Sequence, residues 1–497
     1  TRHPLNEFDA IGFCLSYELS YTNVLNMLDL AGIPLESENR GEGDPLIFGG
    51  GHAAFNPDPI ADFFDFFIIG EAEEVLIEVA DVLCPAIIPP SPLNTSVPIN
   101  TPINTIPTNQ SSPLSRKEIL SRLAKIEGVY VPSLKNKTKK RVIKDLDNAY
   151  FQTKPLVPFL DTVQNRASLE IMRGCSNRCR FCQAGYVSLP RRERKVDTLV
   201  RQARDLLRNT GYEELGLLSL SSSDYSTIEE LVCELDRVCR KKHVSLSLPS
   251  LRVDKLQQEV MDIVQKSGRS GLTLAPEAGT QRLRDLMNKN ITEEDIINAV
   301  KTARASGAKA AKLYFMIGLP GETNEDINGL VDLVYKLRGY MPITVSVSNF
   351  IPKPHTPFQW ERQIGMAEIK QKQAFLRSSI KGRNLKFRWH DARLSVLEGV
   401  FARGDRSLGK VIKLAWEKGC RFDAWDEQFQ WDTWLAVLGY NGEENDNNAG
   451  SYDQLFEKYL RARDYDEELP WDLIDIGISK DRLREECGLR PEVVPNV

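Results

Sequence analysis

From residue 167 onward, short apolar runs alternate with amphipathic stretches, and this alternation limits the fold more than any other property of the chain. Segments 168–172, 215–220, 244–248, 271–275, 311–316 and 343–349 read as strands. The stretches between them carry helix start and stop signals. Asp197 precedes Leu199, Val200, Ala203, Leu206 and Leu207, and Gly211 closes that run. Ser226 with Glu229, and Thr292 with Asp295, read as capping boxes. Parallel strands joined by crossover helices form either an open sheet or a barrel. Six such units fall short of a closed barrel, which takes eight units and about 250 residues. The expectation is an α/β fold, a partial (β/α)6 barrel over residues 167–352.

A second alternating region precedes it. Phe8–Cys14, Pro45–Phe48 and Asp65–Gly70 read as strands, and Asn23–Ala31 and Glu71–Leu83 as helices. That pattern predicts a Rossmann-like parallel sheet over residues 1–84. Three strands are few for such a sheet, and the chain opens on Thr1 rather than Met, so a trimmed or incomplete protein is expected. Residues 85–115 are rich in Pro, Asn, Thr and Ser and read as a flexible insertion; 116–166 read as a connecting segment. The basic run Lys135–Arg141 reads as a solvated loop. Residues 353–497 read as a mainly helical region rich in tryptophan, whose rings suit a core or an interface.

Composition excludes some classes. The net charge is −5, so nothing global marks a nucleic-acid binder, and no apolar run is long enough to span a membrane. Nine cysteines, an odd number in a chain of 497 residues, do not suit a disulfide framework and point to a reducing, cytoplasmic setting.

Three of those cysteines stand together in Arg173-Gly174-Cys175-Ser176-Asn177-Arg178-Cys179-Arg180-Phe181-Cys182, directly after the first barrel strand. Chemistry in such barrels sits at the carboxyl ends of the strands. Thiolates hold iron–sulfur cubanes, usually four at a time. Three cysteines fill three irons and leave the fourth free for a substrate or cofactor. Structural zinc takes four ligands, and no partner pair or histidine lies in this loop. The flanking Arg173, Arg178 and Arg180 favour thiolates over inert buried thiols.

Cys175-x3-Cys179-x-Phe181-Cys182 after a strand resembles the motif of the radical S-adenosylmethionine (SAM) superfamily. The wider chain resembles its cobalamin-domain-containing branch, through Ser16–Asn23, Gly49–Gly51, Ile171–Cys175, Arg191–Arg194 and Ala275–Thr280. The resemblance implies an open radical-SAM barrel, an incomplete cobalamin-binding-type domain before it and a helical region after it. It also implies a four-iron four-sulfur cluster, SAM chelated at the open iron, reductive cleavage of SAM, and an electron donor such as ferredoxin or flavodoxin. Phe181 matches the aromatic residue beside the adenine. Ser222, Ser223 and Asp224 match the groups for the SAM amino end, although the usual Gly-Gly-Glu is absent. Arg252 and Glu277 match positions that meet the SAM carboxylate or ribose, and Gly318 matches the adenine-side glycine. Gly49, Gly50 and Gly51 form a turn suited to a phosphate or a corrinoid tail, while the lower-ligand histidine motif is missing, since Ala53 follows His52.

Cobalamin, if carried, makes methyl transfer the leading reaction. Pro276–Asn288 and Ile317–Glu322 also resemble segments of methylthiotransferases that modify tRNA or a ribosomal protein, which adds RNA or protein to small molecules as substrate classes. Cys14 and Cys84 are too few for the second cluster of such enzymes. Arg191, Arg192, Arg194 and Lys195 then become phosphate contacts or a solvated helix start. A non-catalytic iron–sulfur or RNA-binding scaffold is the rival from another class.

Overall fold

In the computed structural model the described residues are 3–84, 114–160, 162–248, 263, 271–439 and 456–489. The expected insertion, apart from 114 and 115, and Arg252 lie outside them. The chain divides into two compact units, one of Thr1–Ile143, Phe401–Leu455 and Glu468–Ser479, the other of Lys144–Val400, Phe456–Glu467 and Lys480–Val497. These do not follow the expected boundaries: the C-terminal region is shared between the two.

In the first unit, β1 (Ala10–Cys14), β2 (Leu46–Gly50) and β3 (Phe66–Ile68) pair in parallel in that order, and β4 (Val129–Tyr130) adds antiparallel to β3. Helix α1 (Tyr21–Leu30) lies between β1 and β2, and α2 (Ala72–Leu83) follows β3. Both strands and helices bury the apolar positions that periodicity picks out, among them Leu46, Phe66, Ile68, Val75 and Val79. Helix α3 (Arg116–Leu123) starts at a capping box in which Ser115 and Glu118 satisfy each other's backbone. Asp65, buried, joins these parts by accepting from Arg40 (3.0 Å) and Ile47 N (2.7 Å) and pairing with Arg116 (2.8 Å). The late segment packs here too: Asp423 accepts from Thr22 Oγ1 (2.6 Å) and from Trp434 Nε1 (2.7 Å).

The basic run is structured rather than a solvated loop. β5 (Thr138–Lys139) pairs in parallel with Ile474–Asp475, Lys140 is buried, and Arg141 pairs with Glu74 and Glu78. Tertiary pairing supplies there what the local sequence lacks.

The second unit holds the βα repeats. β6 (Ala167–Glu170) carries on into β7 (Met172–Arg173), which pairs with β8 (Arg192–Glu193). β9 (Glu214–Leu218) lies between β6 and β10 (Ser245–Ser247), all parallel. β11 (Gly271–Glu277), β12 (Ala310–Ile317), β13 (Ile343–Asn349) and β14 (Leu385–Trp389) form a second parallel sheet in that order. β14 lies in the region expected to be helical. Its alternation of Lys386 and Arg388 with Leu385, Phe387 and Trp389 is the period-2 signal of a strand.

Between the strands run α4 (Gln183–Val187), α5 (Val196–Thr210), α6 (Ile228–Lys242), α7 (Gln281–Leu286), α8 (Glu293–Ala305), α9 (Asn324–Arg338) and α10 (Met366–Ser379). Gly211 ends α5 in the left-handed region at φ 70°, and Thr292 with Asp295 caps α8. The expected Ser226 box is absent, because Ser226 is engaged by Glu193 and α6 begins at Ile228 after Thr227. Leu274, Leu313, Val345, Val300 and Leu330 belong to one core, so α8–α10 cover a single face of the second sheet. Of the tryptophans, Trp360, Trp434 and Trp471 are buried, whereas Trp389 and Trp425 are about half exposed or more, at 45% and 63%.

Candidate functional site

The cysteine loop leaves β7 through Gly174, at φ 82°, where a Cβ would stand 2.8 Å from Arg191 Cα and from Pro190 O. Only glycine allows that approach. Arg178 also has positive φ, 50°. The loop closes on itself through Cys182 N to Cys179 O (3.0 Å) and enters α4 with Gly185 N bonded to Cys182 O (3.1 Å).

Other parts of the second unit hold the loop from outside. Asn288, at φ 57°, donates to Asn177 O (3.1 Å) and Arg178 O (3.0 Å). Arg180 N donates to Met287 O (3.0 Å). From the far end of the chain, the helix Lys480–Cys487 sends Glu486 to Arg178 (2.9 Å) and to Tyr186 Oη (2.9 Å), which itself donates to Arg178 O (3.2 Å). Cys487, fully buried, shares an apolar cluster with Ala278, Leu283, Met287, Leu319, Phe350 and Phe358, against which Phe181 and Met316 pack.

The three thiols lie close enough to act on one another electrostatically. Burial pushes Cys179 up to about 12, and Cys182 and Cys175 add to the rise while Lys289 opposes it. Burial raises Cys182 as well, again with Cys175 adding. Lys289 pairs with Glu277 (3.0 Å), and burial pulls it down less than Glu277, Cys179 and Cys182 push it up. A carboxylate and an ammonium group therefore border the thiols. Asn177 links them to a third group, donating to Asp224 Oδ2 (2.7 Å) and standing 3.3 Å from Cys175 Sγ.

Among the described residues, no three His, Cys, Asp or Glu side chains are grouped to ligate a single ion. A cubane spreads its thiolates over separate irons, so a short loop with three mutually interacting thiols fits that donor set.

Of the expected residues outside the cysteine motif, the structure brings Asp224 and Glu277 beside the cysteine loop, through Asn177 and Lys289. Ser222, Ser223 and Asp224 form a buried turn after β9, and the neighbouring Ser221 Oγ is buried with no hydrogen-bond partner among the described residues. Glu277 ends β11 at φ 66°, beside a register shift against β12. Gly318, at φ 79°, already gives its N–H to Glu322 (3.0 Å), whose other partner is Lys372 (2.9 Å).

Two expectations change. Gly49 and Gly50 are the end of β2, not a free turn, and the Gly49 position is closed by Leu15, 2.8 Å from where a Cβ would sit; Gly51, at φ 112°, meets Leu15 O at the same distance. Internal packing accounts for the glycines at 49 and 51. Of the arginines proposed for phosphate, Arg194 is buried between Glu170 (3.2 Å) and Leu146 O, with Phe151 beneath it at 5.6 Å. Arg191 is held by Glu193 and Ser226, and Arg192 by Pro190 O.

A cavity of about 690 Å³ opens in the first unit, lined in part by Arg40, Asp62, Arg116, Arg406 and Lys413. Those cations are paired with Asp65, Asp62 and Glu36.

Sequence reasoning missed Asn177, Lys289, Asn288 and Glu486. The first stands inside the cysteine motif and was legible as a polar loop residue. Glu486 follows Arg178 by 308 positions, and no local pattern connects them.

Residues 169–334 match the family described as the radical SAM superfamily, and residues 1–86 match the one described as radical SAM proteins, N-terminal. An uncharacterised protein of Methanocaldococcus jannaschii, MJ0966, is 31% identical over 410 residues, 82% of this chain and 80% of that one. The tRNA-2-methylthio-N(6)-dimethylallyladenosine synthase of Carboxydothermus hydrogenoformans is 30% identical over 186 residues, and the match spans 35% of this chain and 41% of that protein. Among solved structures, the radical SAM methyltransferase TsrM of Kitasatospora setae, with cobalamin and a [4Fe-4S] cluster bound, superimposes with a TM-score of 0.48 at 14% identity, covering 74% of this chain and 65% of that one.

Proposed function

Because the chain belongs to the radical SAM superfamily, we propose that Cys175, Cys179 and Cys182 ligate three irons of its four-iron four-sulfur cluster, leaving the fourth iron to SAM. The observation that carries this reading is the single strand-end loop that holds all three cysteines, closed by Cys182 N on Cys179 O and clamped by Asn288 on Asn177 O and Arg178 O. When bound and reduced, such a cluster would supply the electron for reductive cleavage of SAM.

The chain's own residues bind and orient. Asp224, buried and tied to the loop through Asn177, is placed to accept from the SAM ammonium group, and the unpartnered Ser221 Oγ adds a second polar atom there. The Glu277–Lys289 pair offers a carboxylate for ribose hydroxyls and an ammonium for the SAM carboxylate. Phe181 presents an apolar ring from within its cluster, suited to an adenine face. Arg252, outside the described residues, keeps its expected role at the SAM carboxylate.

Superfamily members need a reductant and a substrate; ferredoxin or flavodoxin is the donor proposed. No disulfide joins any of the nine cysteines, which supports a reducing, cytoplasmic compartment. Among the described residues no helix is long and apolar enough to cross a membrane.

A second reading, methyl transfer with a corrinoid in the first unit, is favoured by the parallel sheet β1–β3, since such sheets bind ligands at their carboxyl edges. The glycines at 49 and 51 give it no added support, and no step is assigned to a corrinoid.

Anaerobically reconstituted protein is expected to carry four irons per cluster and, with dithionite, to convert SAM into 5′-deoxyadenosine. Cys175→Ala, Cys179→Ala or Cys182→Ala is expected to abolish both, and Cys233→Ala, at an exposed position, neither. An iron-loaded protein that forms no 5′-deoxyadenosine would instead be a non-catalytic iron–sulfur protein. Extraction of a corrinoid from the purified protein decides the second reading.

A further inference from the structure

The second sheet has two unlike faces. One is covered by α8–α10 and packed with Leu272, Leu274, Leu313, Phe315, Val345 and Val347. Helices on a single side leave the opposite face uncovered by them, and the radical SAM reading assigns that face to the inside of an open barrel. The strand registers define its rows: Lys312 pairs with Thr344 and Thr344 with Lys386, while Tyr314 pairs with Ser346 and Ser346 with Arg388.

Barrel interiors are ordinarily filled by bulky branched side chains. Here these two rows hold three cations, two hydroxyls and a phenol, and the inward positions of β12–β14 include no Asp or Glu. Lys386 and Arg388 are exposed and make no ion pair among the described residues. Lys312 donates to Tyr314 Oη (2.6 Å) and lies 4.5 Å from its ring centre, and Tyr314 is 37% exposed.

Charges on β14 alone would be explained by its position at the sheet edge, where lysine discourages strand addition. Lys312 lies two strands in from that edge, with Thr344 and Ser346 between, so edge protection does not account for the row. The face also leads to the thiols. Met316, the next inward residue of β12, packs on the same cluster as Phe181 of the cysteine loop.

We propose that Lys312, Lys386 and Arg388, with Thr344, Ser346 and Tyr314, seat an oxyanion group, phosphate or carboxylate, of a small-molecule substrate. This rests on the radical SAM reading, because it takes the barrel interior as the substrate chamber. Two adjacent rows separated by two residues along each strand span about 7 Å, the reach of one or two phosphate groups. Arg388 supplies a planar fork for two oxygens, and the lysines supply point charges.

Calorimetric titration of the reconstituted holoprotein with SAM tests it, using pyrophosphate and citrate as probes. At least one is expected to bind, and whichever binds more tightly names the source of the oxyanion. Lys386→Gln and Arg388→Gln are each expected to weaken binding by about tenfold or more. Arg388→Lys is expected to recover part of that loss, and Lys301→Gln, on the outer helix α8, to leave affinity unchanged. Failure of both probes at millimolar concentration overturns the proposal, as does equal binding by the glutamine variants. So does a single-stranded RNA 12-mer that binds where neither small anion does. Formation of 5′-deoxyadenosine by the same preparation reports separately on the SAM reading: if it forms without probe binding, only the oxyanion site fails.

Discussion

Single residues carry most of the chemistry and some of the cost. Asp58, in the first unit, is pushed up to about 6 by burial, with Arg406 and Lys135 opposing and Asp405 and Asp62 adding to the rise. An acid raised in the fold is stabilising below its unfolded value near 3.8 and loses that contribution as pH climbs through about 6. Asp58→Asn, which has no charge to bury, is therefore expected to be more stable than the parent at pH 8 by about 2 kcal/mol, with the difference gone near pH 4. Thermal melts of the two proteins across that range check it; a difference that grows toward acid pH would reverse the sign. At the same scale, the cysteine spacing was legible because three ligands within eight residues are covalently forced to be neighbours. The partners of those ligands were not. Lys289 approaches Glu277 across a turn, and Asn288 reaches the loop backbone from the end of α7, through contacts that only folding creates.

Elements follow their local signals where the chain packs on near neighbours. The Thr292–Asp295 box, the Gly211 terminus and β13, residues 343–349, stand as the sequence predicts. β14 was hidden by its charged residues, whose inward positions make an apolar run look broken. The basic run 135–141 was misread because its partner strand lies more than 300 positions later. The helix Lys480–Cys487 is the element with the greatest reach into the site. Glu486 satisfies Arg178 and Tyr186 together, and its side chain is 15% exposed. Glu486→Ala is expected to cost about 1–3 kcal/mol and to loosen the loop, so that a chelator strips iron from the reconstituted protein several-fold faster. Glu486→Gln, which keeps one acceptor, is expected to lie between. Iron-release kinetics equal to the parent's would show that the loop holds its shape without this helix.

At the level of the whole molecule, the chain crosses between its two compact units four times, after Ile143, Val400, Leu455 and Glu467, and returns a fifth time after Ser479. Neither unit is one continuous stretch of sequence. A protein ending at Val400 would retain every cysteine of the site but lose Phe401–Leu455 from one unit and Lys480–Val497 from the other. Thr22 would lose its acceptor Asp423, and Arg178 and Tyr186 would lose Glu486. That truncation is expected to give little soluble protein and no stable iron loading, read by yield and iron content. A soluble, iron-loaded product would mean that the first 400 residues fold by themselves.

The late arrival of Glu486 also sets an order of events during synthesis. A ribosome makes the cysteine loop some 300 residues before it makes the helix that braces it. While translation continues, Arg178 and Tyr186 face a bare surface, and the apolar floor beneath Phe181 lacks Cys487. A scaffold that delivers iron and sulfide would meet the braced loop only once the helix Lys480–Cys487 has been made, so the sulfur ligands wait for their support through most of the synthesis of this sequence.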